Sequence, residues 1–259
     1  MSKWDAAIRV ALKTGEILKE GFRTNFDIQK KGVNDLVTTY DLRAQSYIVE
    51  QLSKDYRGCG FFAEEDLVTE GDPLFVVDPL DGTNNFASGI PQFCVSIGVI
   101  ENGSLQAGVV YNPVMEELFF SQKGNGAFLN ERQIHINDKP LKNTLVATAF
   151  PFKERDKLEW FSNLFSLVYA QVMDIRRMGS AALDLTYTAS SMYGLYFEYG
   201  INPWDVAAGV LMVQEAGGVV KDFSGQPFDL FHSKTILAGN ESNVEEVLNI
   251  WSDKASGCS

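Results

Sequence analysis

Residues 74–86, LFVVDPLDGTNNF, run the apolar start of a strand into two carboxylates, a proline, a glycine, a threonine and two asparagines. Proline cannot donate to a strand ladder and glycine reaches backbone geometry closed to other residues, so the strand is expected to end at Asp78 and turn at Gly82. Asp78 and Asp81 can then face one pocket. The following TNNF offers capping groups for a helix whose first N–H groups are free to bind an anion. One short segment thus supplies hard oxygen ligands for Mg²⁺ and, beside them, a seat for phosphate. The plainer alternative is a turn with two capping aspartates. Spacing separates this segment from an aspartyl-phosphate phosphatase, whose paired Asp residues stand one residue apart. Here Pro79 and Leu80 intervene, which disfavours a nucleophilic Asp and leaves room for a metal-activated water.

Two other acidic segments belong with this one. Upstream, GFFAEEDLVTEGD (60–72) places Glu64 and Glu65 directly after an aromatic strand-like run. Downstream, GINPWDVAAGVLMVQEAGG (200–218) places Asp205 at a helix start after Pro203 and Trp204. Each alone reads as a solvated charge pair or a first-turn helix carboxylate. In one chain with residues 74–86 they read as a single acidic site.

The remaining sequence supplies a scaffold. Apolar residues from Trp4 to Leu18 recur at helical spacing with Gly21 as the stop, and residues 35–56 read as a second helix that Asp41 can cap. From Leu74 short apolar runs alternate with turn residues, and VIENGSLQAGVVY (99–111) is a hairpin because Asn-Gly accepts positive φ. GNGAFLN (124–130) lacks the third glycine and the following helix of a dinucleotide loop. Past a compositional seam at residues 137–144 the pattern alternates strand and helix to a terminal helix. Two halves are expected, 1–138 carrying most of the acidic residues and 139–259 completing a cleft.

The chain has 259 residues, 45% hydrophobic and 22% charged, with a formal charge of −12. That balance opposes a nucleic-acid surface, which needs clustered Lys and Arg, and suits cation binding. Charges threaded through the N-terminal helix argue against a signal peptide or a membrane span, so a cytoplasmic location is expected. Cys59, Cys94 and Cys258 form no metal-binding pattern and are read as inert; His135 and His232 are isolated, so no zinc set exists.

The ordered segments DLVTTYD (35–41), AEED (63–66), DPLDGTNNF (78–86), GSAALDL (179–185) and WDVAAG (204–209) resemble the inositol monophosphatase family of Mg²⁺-dependent, lithium-sensitive phosphatases, over nearly the whole chain. The resemblance implies a layered αβαβα sandwich of the kind shared with fructose-1,6-bisphosphatase. It implies two to three Mg²⁺ ions held by Glu64, Asp78, Asp81, Asp205 and the Leu80 carbonyl. Glu64 and Thr83 would orient the attacking water, with Asp41 behind the threonine and no covalent intermediate. Gly82 and Thr83 N–H groups would hold phosphate; Gly179, Ser180, Ala181, Glu198 and Asp205 would meet the substrate alcohol. Leu80 stands where isoleucine is commoner, and Asn84 where threonine is frequent. Lys30 and Lys31 both fit the family's loop lysine and neither is assigned. Inositol 1-phosphate is the expected substrate, with NADP(H), fructose 1,6-bisphosphate and adenosine 3',5'-bisphosphate as alternatives, and a homodimer is expected. The rival classes are a regulatory partner of transcription or RNA processing and a structural cation-binding module.

Overall fold

Strand periodicity decides which side chains reach the middle of this molecule. Along residues 74–78 alternate side chains take opposite faces, so Phe75 and Val77 enter one apolar cluster while Val76 and Asp78 point the other way. The computed structural model describes residues 3–32, 35–151 and 154–256. Its first half contains α1 (Asp5–Gly21), β1 (Ile28–Gly32), β2 (Asp35–Thr38), α2 (Thr39–Asp55), β3 (Gly60–Ala63), β4 (Leu67–Thr69) and β5 (Leu74–Asp81). There follow α3 (Thr83–Ala87), β6 (Cys94–Glu101), β7 (Ser104–Asn112), β8 (Glu117–Gln122), β9 (Gly126–Leu129) and β10 (Arg132–Ile134). The rest comprises β11 (Leu145–Ala149), α4 (Leu158–Tyr169), β12 (Asp174–Arg176), α5 (Ala181–Ala189), β13 (Leu195–Tyr199), α6 (Pro203–Glu215), β14 (Val219–Lys221), β15 (Thr235–Gly239) and α7 (Glu241–Ser256).

Beyond the small β1–β2 hairpin, two sheets form. The larger has the order β10-β9-β8-β7-β6-β5-β3-β4, antiparallel except for the β3–β5 pair, and the smaller has the order β12-β11-β13-β15-β14. Three apolar clusters separate five layers. One lies between α1 with α2 and the larger sheet, and includes Leu18, Ile48, Phe75 and Ile97. The second joins that sheet to α5, α6 and the smaller sheet through Leu185, Tyr196, Val206 and Met212. The third packs α4 and α7 on the far face through Phe161, Leu164, Phe197 and Val244. This is the expected αβαβα sandwich. Asn102 (φ 52°) and Gly103 (φ 72°) make the expected β6–β7 turn, and residues 126–129 form β9 rather than a nucleotide loop.

Three local readings need correction. The 35–56 segment is not all helix: Asp35–Thr38 pairs with β1, so α2 starts at Thr39. Asp41 is therefore the third helical residue, not the N-cap; Thr38 caps the helix and Asp41 accepts from its backbone N–H at 2.8 Å in a capping box. Gly21 does end α1 as expected, and it is small because a Cβ there would lie 2.3 Å from the Tyr40 ring. Finally, β5 does not stop at Asp78. Asp78 is opposite Ser96 and Asp81 opposite Cys94, so three steps on β5 match two on β6, a one-residue bulge at Pro79-Leu80.

The close seating of α6 on the larger sheet has its own sequence signature. Gly98 and Gly108 are opposite each other on β6 and β7, and Ala207 and Ala208 of α6 lie directly over them. A Cβ at Gly108 would stand 2.6 Å from the Ala208 carbonyl oxygen, which is backbone and cannot rotate aside. Gly108→Ala is expected to cost about 1–3 kcal/mol, the usual range for overpacking. It should lower the urea midpoint without changing the m-value, and an unchanged midpoint would show that the layer spacing has slack.

Candidate active site

The bulge explains how two aspartates three residues apart reach one wall. In an unbroken strand Asp78 and Asp81 would point to opposite faces. With the extra residue, the Leu80 side chain turns into the α1–α2 core, fully buried, and Asp81 returns to the same side as Asp78. Leu80 N–H donates to Asp78 Oδ1 at 2.9 Å, pinning that carboxylate. Gly82 (φ 91°) then turns the chain into the five-residue α3. A Cβ at Gly82 would stand 2.8 Å from the Gln92 carbonyl oxygen, so this position excludes side chains twice over.

One cleft collects most of the expected residues. Glu64, Asp78, Leu80, Asp81, Gly82, Thr83, Gly179, Ser180, Ala181, Glu198 and Asp205 all line it. Asp41 lies just behind, buried, with its Oδ1 3.0 Å from Thr83 Oγ. Its other oxygen accepts from both the backbone N–H and the hydroxyl of Thr38, at 2.8 and 2.5 Å. The Leu80 carbonyl is also 3.0 Å from Thr83 Oγ. With one proton to give, Thr83 can donate to either acceptor while its lone pairs face outward.

Asp81 is held by the N-terminus of α5. Ser180 Oγ and Ala182 N–H donate to its Oδ2 at 2.6 and 2.8 Å, while Ser180 Oγ accepts from Leu183 N–H at 3.4 Å as N-cap. The Cys94 thiol is buried 3.8 Å from the same oxygen. Burial pushes that thiol well up, which agrees with an inert cysteine. Cys59 is half-buried and likewise pushed up by burial, and Cys258 lies outside the described residues. Asp205 closes the opposite wall from the first turn of α6, its Oδ2 accepting from the backbone and side chain of Asn202 at 2.8 and 3.0 Å. Glu198 shares the inward face of β13 with Tyr196, whose hydroxyl donates to it at 2.5 Å.

Electrostatically the cleft is crowded. Burial, then Glu64, Asp81 and Asp205, push Asp78 far above the usual carboxylate range. Burial and Asp205 push Asp81 up to about 7, and burial pushes Glu198 up to about 8. Asp184, behind the cleft on α5, is likewise raised by burial and by Glu198, and its Oδ1 has no partner. Such clustering of buried like charges is a signature of functional sites.

Sequence reasoning missed Asp184, Asn85 and Arg177. Asn85 ties the two walls together, its amide donating to the carbonyls of Gln92 and Met178 at 2.7 and 2.8 Å. Arg177 lines the cleft, and a basic pair just before a Gly-Ser helix start was the available signal. The side chains of Lys30 and Lys31 lie outside the described ones. Among the described residues no three Asp, Glu, His or Cys groups already stand in ligating arrangement around one point. The donor chemistry still fits one class of ion. Four carboxylates and a carbonyl lining one cleft are hard oxygen donors, and burying that much like charge asks for a divalent cation.

The structure is thus a five-layer α/β scaffold with an acidic cleft at a strand end and two helix starts. The model of the inositol monophosphatase family matches residues 1–254, and the chain belongs to that family, whose members are generally Mg²⁺-dependent phosphatases. It is 41% identical to the Nus factor SuhB of Vibrio cholerae over 93% of this chain and 92% of that protein. It is 39% identical to the inositol-1-monophosphatase of Mesorhizobium japonicum over 90% of each. The crystal structure of the extragenic suppressor protein suhB from Bartonella henselae superposes with a TM-score of 0.91 at 38% identity, covering 95% of this chain and 96% of that one.

Proposed function

We propose that this protein is a Mg²⁺-dependent phosphate monoester hydrolase acting on inositol 1-phosphate. The observation that carries this reading is the Thr83 hydroxyl, 3.0 Å from a buried Asp41 and lining the same cleft as Asp78, Asp81 and Glu64. Asp78, Asp81, Glu64, Asp205 and the Leu80 carbonyl would hold two to three ions, which supply positive charge to the phosphoryl group and acidify water. With the Leu80 carbonyl given to an ion, Thr83 would donate to Asp41, which leaves a Thr83 lone pair to accept from a water. Glu64 would receive that water's second proton. Water oxygen forms the new P–O bond, the ester P–O bond breaks, and a proton ends on the leaving alcohol. First-turn N–H groups at Gly82 and Thr83 are free of helical partners and would hold the phosphate oxygens. Gly179, Ser180, Ala181, Glu198 and Asp205 would meet the alcohol.

Phosphate release from a panel of inositol, fructose, adenosine and NADP phosphates tests the reaction. Turnover is expected with Mg²⁺, lost in EDTA and reduced by Li⁺. Release from none of them would overturn it. The name Nus factor carried by relatives supports a second reading, a regulatory partner of transcription or RNA processing, and a fully folded protein without turnover would favour it. The net charge of −12 supports a small-molecule rather than a nucleic-acid ligand. Among the described residues no helix is long and apolar enough to cross a membrane. A cytoplasmic homodimer, with halves 1–138 and 139–259 meeting at the cleft, completes the proposal.

A further inference from the structure

The larger sheet has an open edge at β4, the last strand in its order. Alternate residues of an edge strand leave their N–H and C=O groups without a ladder partner, a template for one more strand. Val68, in the middle of β4, is 69% exposed, more than any other large apolar side chain among the described residues. It does not stand alone. Val68 is opposite Phe62 on β3, so the two share a face of the sheet, the one away from the α1–α2 core that buries Phe61. On that face the Phe62 ring centroid lies 5.4 Å from that of Trp204 and 5.7 Å from that of Phe231. Phe231 is itself exposed. A valine next to an aromatic trio centred on Phe62 makes an apolar anchor point continuous with the free edge.

Carboxylates flank that point. Asp66 and Glu70 stand two residues before and two after Val68, both exposed, and neither carboxylate has a hydrogen bond or ion pair with a described residue. Flanking charge commonly guards an edge against strand addition, but an apolar centre left between the charges opens it to a partner of opposite sign. A second copy is not that partner. Two β4 edges meeting about a twofold axis run antiparallel and, centred on Val68, bring Asp66 of each against Glu70 of the other, like charges directly opposed. The chain's net charge of −12 likewise favours a basic partner.

We propose that β4 is a docking edge for an extended basic segment of another protein. The segment adds as a strand, seats an apolar side chain against Val68 and Phe62, and turns Lys or Arg residues two positions to either side toward Asp66 and Glu70. Docking there requires no turnover and is independent of the proposed hydrolase reading.

Fluorescence anisotropy tests it, with the full chain titrated into a labelled heptapeptide of threonine that has a central leucine and a lysine two positions to either side. The lysine peptide is expected to saturate, and its counterpart with glutamate for lysine is not. Val68→Ser should weaken binding about tenfold, the scale of burying one such side chain. Asp66→Asn combined with Glu70→Lys should reverse the preference between the two peptides; asparagine suits position 66 because its φ is 52°. These surface substitutions should leave the melting temperature near that of wild type. In the complex, amide hydrogen exchange at residues 67–69 should slow. Binding that survives Val68→Ser, or that leaves exchange at 67–69 unchanged, is charge attraction without docking and overturns the proposal. So does a failure to saturate by about 1 mM protein. A fall in the solution mass of the Val68→Ser chain also overturns it, by assigning the edge to a second copy.

Discussion

Asp81→Asn is expected to slow phosphate release at least ~10²-fold while leaving the fold intact, the scale seen when one group that stabilises transition-state charge is removed. The fold should survive because the Asn oxygen can take the place of Asp81 Oδ2 and accept from both the Ala182 N–H and the Ser180 hydroxyl, now 2.8 and 2.6 Å from that atom. The substitution also removes a buried charge that Asp205 repels. Metal-free Asp81→Asn should therefore melt at or above wild type at pH 8. Added Mg²⁺ should raise its melting temperature less than that of wild type. Phosphate release at the wild-type rate, or an unaltered Mg²⁺ response, would remove Asp81 from the metal set.

What sequence could and could not show follows from the range of the interactions. Individual elements were legible where they rest on local signals, the helical spacing of α1 and the short apolar runs of β5 and β6, while the order of layers came from the resemblance of the ordered motifs to a known family. The acidic residues were legible as types because carboxylates at a strand end and at helix starts are unusual in combination. The path of β5 was not legible. Proline does prevent ladder pairing, but a bulge absorbs it, and the partner strand β6 decides that register from 13 or more residues away. Asp41 was misplaced by three residues because Thr38 caps α2 only once β2 has paired with β1. Gly98, Gly108 and Gly209 gave no local signal at all. Their need arises from α6 lying on two strands and from Leu185 of α5 lying on Gly209, contacts between separate elements that no local window of sequence contains. Arg177 was hidden for the same reason, since its role is defined by which pocket its loop borders.

Buried acid groups also set how stability responds to pH. In the unfolded chain carboxyls titrate near 4, whereas folded Asp81 and Glu198 stand at about 7 and about 8, and burial pushes Asp78 and Asp184 well above the usual carboxylate range. Between those limits the folded state binds more protons than the unfolded one, so stability falls as pH rises, by about 1.4 kcal/mol per pH unit for each extra proton held. In EDTA the melting temperature should accordingly drop from pH 5 to pH 8. A divalent cation binds the deprotonated carboxylates, so Mg²⁺ should add little at pH 5 and progressively more toward pH 8, with protons released on binding. Some decline should remain even with Mg²⁺, because Glu198 is paired with Tyr196 rather than placed among the proposed ligands. Glu198→Gln should make that remainder shallower, leaving the share of Asp184, without changing the Mg²⁺-dependent part. A metal-free melting temperature that is level or climbs from pH 5 to pH 8 would mean that the buried carboxyls are ionised in the fold, and that the cleft finds its counter-charge within the protein.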